Sequence, residues 1–409
     1  MSSTVLDSIA LGYQPLWNAD RQLAAVRLLV HSVKPDAVDA AHLMRALGGD
    51  WPVAAPPLIL SFDAPALLAQ ALRSEPVDNT WLACPAEAFD QPESLAVLSV
   101  AHRRGHHLLR HVPAGQAWAG PMAPLDARTL VHVDAGQSLA LLQALSRAQP
   151  TPQLVPGHAY AGIGNRRLAD HCLDSVGVWA LLGWPDEDIL QTRLARPLAC
   201  DRVVIEQVMQ GVREETSLEH LERLVRQDPV LVYRLLLLVN SAAYNTRSEI
   251  GSIRHALMMM GLTSLGAWVQ DQRRGADEDI DLHPVRYAMV MRSRLAQHML
   301  APGSGDDLRA EVYLSALFSQ LDRLMHQPLP ELLARVPVSG RVLDAALRQD
   351  GPYHPLLDLA AAQGDPARLH ELPHLCHMHE FPLEDANRAL IRMLATSRDH
   401  NSKRSQRMP

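Results

Sequence analysis

The chain has 409 residues, a formal net charge of -7 and 47% hydrophobic residues. At roughly 100–200 residues per domain that is material for two or three domains with real cores. The charge leaves no global basic field for nucleic acid, and aromatics at 4% offer no stacking platform for single strands. The longest purely apolar run, LLLLV at 235–239, is far shorter than the roughly 20 residues of a membrane helix. The start, MSSTVLDSIALGYQ, lacks the basic region and apolar core of a signal peptide. Cys84, Cys172, Cys200 and Cys376 are scattered and form no C-x-x-C, which fits a reducing compartment. These features predict a cytoplasmic protein with no membrane or nucleic-acid partner.

Up to about residue 200, β-like and helical runs alternate. A strand at 58–63 precedes a helix at 66–72, and a strand at 80–84 precedes a helix at 93–104. Strands at 107–112 and 130–134 follow, the second leading into a helix at 138–147. Strands alternating with helices predict a parallel sheet in an α/β fold. The segment is small beside the about 250 residues of an eight-stranded α/β barrel, so a trimmed barrel is expected.

Beyond residue 200 the β signals vanish. Thr216-Ser-Leu-Glu219 reads as a capping box, with Leu218, Leu221, Leu224 and Val225 at helical spacing. Asp228-Pro229 restarts a helix, with Asp as N-cap and Pro in the first turn. The run VLVYRLLLLV at 230–239 is apolar nearly all round, which predicts a central helix. Ser252-Ile253 opens another helix, Gly261 closes it and Thr263 caps the next. Helices continue to about Thr396, and the tail SRDHNSKRSQRMP at 397–409 is expected to be disordered.

Two stretches resemble known families. DPVLVYRLLLLVNSAAY and the following EIGSIRHALMMMG resemble the signature of HDOD, the HD-related output domain. The match runs in order through Asp228, Pro229, Leu231, Leu235, Leu236, Asn240, Ser241, Ala242, Ser252, Ile253, Ala256, Leu257 and Gly261. The later EVYLSALFSQLDRLMHQPLPELLARVPVSGRVLDAAL resembles the closing helices of HDOD proteins that carry an EAL domain, the cyclic-di-GMP phosphodiesterase barrel. The first half then resembles a degenerate EAL domain. YQPL at 13–16 is similar to the family's opening, but Arg27 stands where that family has a metal-binding glutamate. Ile59 replaces an asparagine ligand, Ala83 an acid, and His111 and Val112 the paired aspartates, whereas Gln14 and Asp134 are kept.

The resemblance implies an α/β plus all-α chain. A trimmed EAL-type barrel is expected at 1–197, an all-helical HDOD domain at 198–396 and a disordered tail beyond. Pro197 and Cys200 mark the change, with no Gly/Ser-rich linker between the halves, so a short connection is expected. Two-metal phosphodiester hydrolysis needs hard oxygen ligands, which Arg, Ile, Ala and Val cannot supply. The expectation is therefore a non-enzyme without cofactor or bound metal, acting through other signalling proteins in bacterial motility, biofilm or stress regulation. Gln14 and Asp134 are the candidates for weak cyclic-dinucleotide binding. The alternative is a cyclic-di-GMP sensor or divergent phosphodiesterase. None of the 20 histidines precedes an aspartate, so the metal dyad of active HD phosphohydrolases is missing. Asp228, Pro229, Asn240, Ser241 and Gly261 are expected to serve structure.

HELPHLCHMHE at 370–380 contains H-E-x-x-H, a zinc-protease motif. Pro373 inside it breaks the continuous helix such a site needs, so no protease is expected. HRRGHH at 102–107 sits at a helix-to-strand turn and reads as a solvated charge run.

Overall fold

The computed structural model describes residues 5–34, 39–52, 55–116, 124–194, 198–241, 244 and 250–397. Pro197, Ala242 and the tail beyond Ser397 lie outside these. The chain divides into two compact units, one formed by Met1–Asp188 with Ala362–Pro409 and the other by Ile189–Ala361. The helices after residue 361 had been expected to close the helical domain; they group instead with the first unit. Among the described residues no helix is long and apolar enough to cross a membrane.

The first unit is built on a closed eight-stranded barrel. Its strands are β1 (Ile9–Trp17), β2 (Leu23–Ser32), β3 (Leu58–Phe62), β4 (Thr80–Pro85), β5 (His107–Val112), β6 (Arg128–His132), β7 (Ala159–Ala161) and β8 (Ala180–Leu182). β1 runs antiparallel to both β2 and β8, and β2 through β8 pair in parallel. The connecting helices differ in length: Ala40–Asp50, Pro92–Arg103 and Ala135–Ser146 have 11 or 12 residues, whereas Pro65–Ala71 has 7.

Period-two alternation sorts side chains between lumen and outer face. Ala25, Ile59, Ala83, Leu109, Leu130, Ala159, Ala161, Ala180 and Leu182 form the lumen cluster. Val131, Tyr160 and Leu181, their neighbours in sequence, pack outward against the surrounding helices, as does Val112. Five of the lumen residues are alanines, which leaves room for larger groups at the ends. At the amino-terminal end Trp81 and Trp179 stack with centroids 5.0 Å apart. The Arg128 guanidinium lies 4.5 Å from the Trp179 ring, so aromatic stacking and cation–π attraction plug that end.

β8 pairs with β1 only at Leu16 and Trp17, which leaves the earlier part of β1 as an open edge. The C-terminal segment covers it. Buried Asn387 accepts from the Leu11 N–H (2.9 Å) and donates to the Leu6 and Ile9 carbonyls (2.8 and 2.7 Å). Gln363 donates to the Leu11 carbonyl at 3.0 Å. Side-chain amides thus stand in for a missing neighbouring strand and keep the edge from pairing elsewhere.

The second unit is helical. The helix Leu218–Val225 is capped by Ser217, which accepts from the His220 N–H, one residue later than the expected Thr216. Thr216 instead donates to the Gly211 carbonyl at 3.1 Å. The helix Pro229–Val239 follows Asp228 as N-cap, and eight of its residues are buried. Its end is clasped by Asn240, which donates to the Leu236 and Ile250 carbonyls and accepts from the Ile250 N–H (2.8 Å). Ser241 donates to the Leu238 carbonyl. Ile253–Arg273 is two helical segments meeting at Gly261, whose φ of 69° favours a residue without Cβ.

Candidate functional site at the barrel mouth

The carboxyl ends of barrel strands are where open α/β and barrel folds place ligands, because successive loops diverge there from a rigid rim. Here that end holds a small polar cluster. Arg27 of β2 donates from Nε to Ser61 Oγ of β3 at 2.8 Å. Its Nη1 lies 3.3 Å from His132 Nε2 of β6. A guanidinium has no acceptor, so His132 Nε2 accepts and its proton resides on Nδ1. His111 of β5 meets His132 edge to face, with ring centroids 4.8 Å apart. His111 Nε2 is buried with no hydrogen-bond partner among the described residues.

Electrostatics follow from that enclosure. Burial lowers the Arg27 pKa to about 10, which leaves it a cation at neutral pH. Burial first, then the Arg27 charge, holds both His111 and His132 down to about 4, while Glu87 pulls His111 the other way. The exposed Glu87 opens the short helix Glu87–Asp90 that follows β4, and accepts from Gln116 Nε2 at 2.7 Å. That bond is the main reason its carboxyl sits below the ordinary range. Two neutral imidazoles around a fixed cation make a positive cluster, which suits an anion and repels a divalent metal.

Of the positions where the resemblance implies lost ligands, Arg27, Ile59, Ala83 and His111 face the lumen and Val112 packs outward. Gln14 stands opposite Arg27 in the β1–β2 register. Asp134 is spent on a reciprocal capping box with Gln137 at the start of the helix Ala135–Ser146, which fits a structural use. In the sequence His132 stands only where the resembled motif has a lysine; the imidazole pair is not legible there, because nothing local shows that β2, β5 and β6 converge.

In the helical unit Asp228 does more than cap. Its carboxylate accepts from the Val230 and Asp201 N–H groups at 2.9 and 2.7 Å. It also pairs with Arg286 Nη1 at 3.0 Å, the two side chains being 0% and 2% exposed. Arg286 donates onward to the Ala199 carbonyl at 2.8 Å. In HELPHLCHMHE, His370 lies in the 3-10 turn Leu369–Glu371, whereas Pro373 is in the first turn of a separate helix, Leu372–Met378. His370 and His374 therefore do not share one helix. In HRRGHH, buried His106 has Nε2 3.0 Å from the Ser74 carbonyl and Arg104 donates to the Arg73 carbonyl.

Residues 200–332 match the family model of the HDOD domain. Over 52% of its length the chain is 27% identical to a Vibrio cholerae protein named cyclic di-GMP phosphodiesterase CdgJ, of which the match covers 49%. It is 24% identical over 36% of its length to YuxH of Bacillus subtilis, an uncharacterized protein, of which 36% is covered. The chain thus spans half or less of the length of these relatives. Among solved structures it is similar to the MmoQ response regulator of Methylococcus capsulatus, at 18% identity and a TM-score of 0.39. That match covers 47% of this chain and 98% of the other.

The likeness to a protein named as a phosphodiesterase overturns the expectation of a non-enzyme. The physical reason is that lost carboxylates at aligned positions speak only to one two-metal mechanism. They do not speak to other groups at the mouth, such as Glu87 acting on His111.

Proposed function

We propose that the chain is a cyclic-di-GMP signalling protein of the EAL–HDOD kind. Its barrel recognises the cyclic dinucleotide at the carboxyl end, and its HDOD helices pass the state on to other signalling proteins. The observation that carries this reading is the pairing, in one chain, of a closed eight-stranded barrel with an HDOD match at 200–332. Similarity to a protein named a cyclic di-GMP phosphodiesterase supports it, and favours hydrolysis of the same ligand as a second reading. Four cysteines, all buried free thiols, support a place in the reducing cytoplasm. Regulation of motility, biofilm or stress is the output this implies.

Calorimetry of the full chain with cyclic di-GMP, with and without Mg²⁺ or Mn²⁺, tests recognition. Chromatography of the same mixtures for the linear dinucleotide tests turnover. Saturable binding supports recognition, and metal-dependent product adds hydrolysis. Neither binding nor product at millimolar nucleotide would sink the reading.

A further inference from the structure

We propose that Arg27, His111 and His132 form a metal-independent oxyanion site that takes one phosphate group of a phosphodiester ligand. The inference rests on the cyclic-di-GMP reading for the identity of the ligand, but not for the existence of the site.

Three observations converge. Arg27 is a partly buried cation whose partners among the described residues are Ser61 and His132, neither of them a carboxylate. Only two of its five N–H donors are engaged, and burying a charge without a counter-ion is costly. Secondly, His111 Nε2 is buried without a partner on the ring that meets His132 edge to face. An unmade hydrogen bond of this kind calls for an explanation in a packed interior. Thirdly, Arg27, His111 and His132 come from three strands of a rigid barrel, and each residue is partly rather than fully buried.

A phosphate oxygen resolves all three at once. It supplies the missing counter-charge to Arg27 and accepts from its free guanidinium N–H groups, with the planar fork suited to bidentate contact. It also gives the His111 Nε2 position a partner. His132 is held in the Nδ1–H tautomer by the Arg27 contact and so orients the guanidinium. Where a carboxylate-and-metal centre would neutralise phosphate through a cation held by acids, this cluster carries the positive charge on its own side chain. Added divalent metal is then unnecessary, and Arg27 opposes its entry.

The test is titration calorimetry on the full chain in EDTA, with cyclic di-GMP and, separately, inorganic phosphate. Wild type, Arg27→Met and His111→Leu are compared after their melting temperatures are checked. Cyclic di-GMP should bind without metal, and either variant should weaken it by about tenfold to a hundredfold, the loss of one charge-assisted hydrogen bond. If Arg27→Met does not fold, His111→Leu alone decides. Binding that requires Mg²⁺ or Mn²⁺, or that survives both substitutions, overturns this site while leaving cyclic-di-GMP recognition standing. Phosphate binding that depends on Arg27, without any cyclic di-GMP binding, supports the site and sinks the nucleotide reading. No binding of either probe overturns both.

Discussion

Replacing Arg286 by methionine should destabilise the helical unit far more than losing one surface pair would. Asp228 and Arg286 are 0% and 2% exposed and 3.0 Å apart. Burial pushes the Asp228 carboxyl above its ordinary range, while the Arg286 charge and two backbone N–H bonds pull it back. Removing the guanidinium leaves a buried carboxylate with only those two N–H groups. Losing one partner of such a pair costs about 3–5 kcal/mol. For a unit of this size each kcal/mol shifts the melting temperature by about 2–4 °C, giving a drop of roughly 6–20 °C. The double variant Asp228→Asn, Arg286→Met removes both charges and keeps an acceptor at the N-cap, so it should recover most of that loss. Differential scanning calorimetry, with hydrogen exchange to assign the transition to residues 189–361, measures both. A single variant within about 1 kcal/mol of wild type, or a double variant as damaged as the sum of the singles, would refute the reasoning.

Three further outcomes are expected. His111 and His132 sit near about 4 when folded, against 6.5 as the ordinary value, so the unfolded chain takes up protons first as pH falls. The stability they contribute is full above about pH 6.5 and is lost progressively towards pH 4. That loss is about 1 kcal/mol each at pH 5.5, discounted for partial exposure; urea midpoints at pH 7.5 and 5.5 should converge in His111→Leu, and an unchanged pH slope would count against it. Asn387→Ala leaves the Leu11 N–H and the Leu6 and Ile9 carbonyls without their side-chain partner and should cost the barrel about 2–3 kcal/mol, read by chemical denaturation. Gly162 has φ +81°, and a Cβ there would lie 2.0 Å from the Val133 carbonyl oxygen. Gly162→Ala should therefore cost at least about 2 kcal/mol or abolish soluble expression, and wild-type melting would contradict the clash.

Much of the local structure was legible in the sequence because it depends on neighbours along the chain. Short β-like runs between helical ones marked β3 to β6, and Asp228-Pro229 marked the start of the buried helix Pro229–Val239. Gly261 marked a break that its positive φ makes physical. The cap before Leu218–Val225 lies one residue later than expected: Ser217 caps, while Thr216 donates to the Gly211 carbonyl.

What joins distant parts of the chain was not legible. Nothing local to Asn387 or Gln363 says that these amides will finish the edge of β1, which the short β8 leaves uncovered. Nothing near Asp228 names Arg286 as its counter-ion. The same holds at the barrel mouth. In the sequence, the resemblance implied lost carboxylates at Arg27 and His111. Only closure of the barrel brought His132 to the guanidinium and left His111 Nε2 without a partner. Strand and helix signals are set by interactions between near neighbours, whereas a charge's partner is set by which strands the barrel makes adjacent.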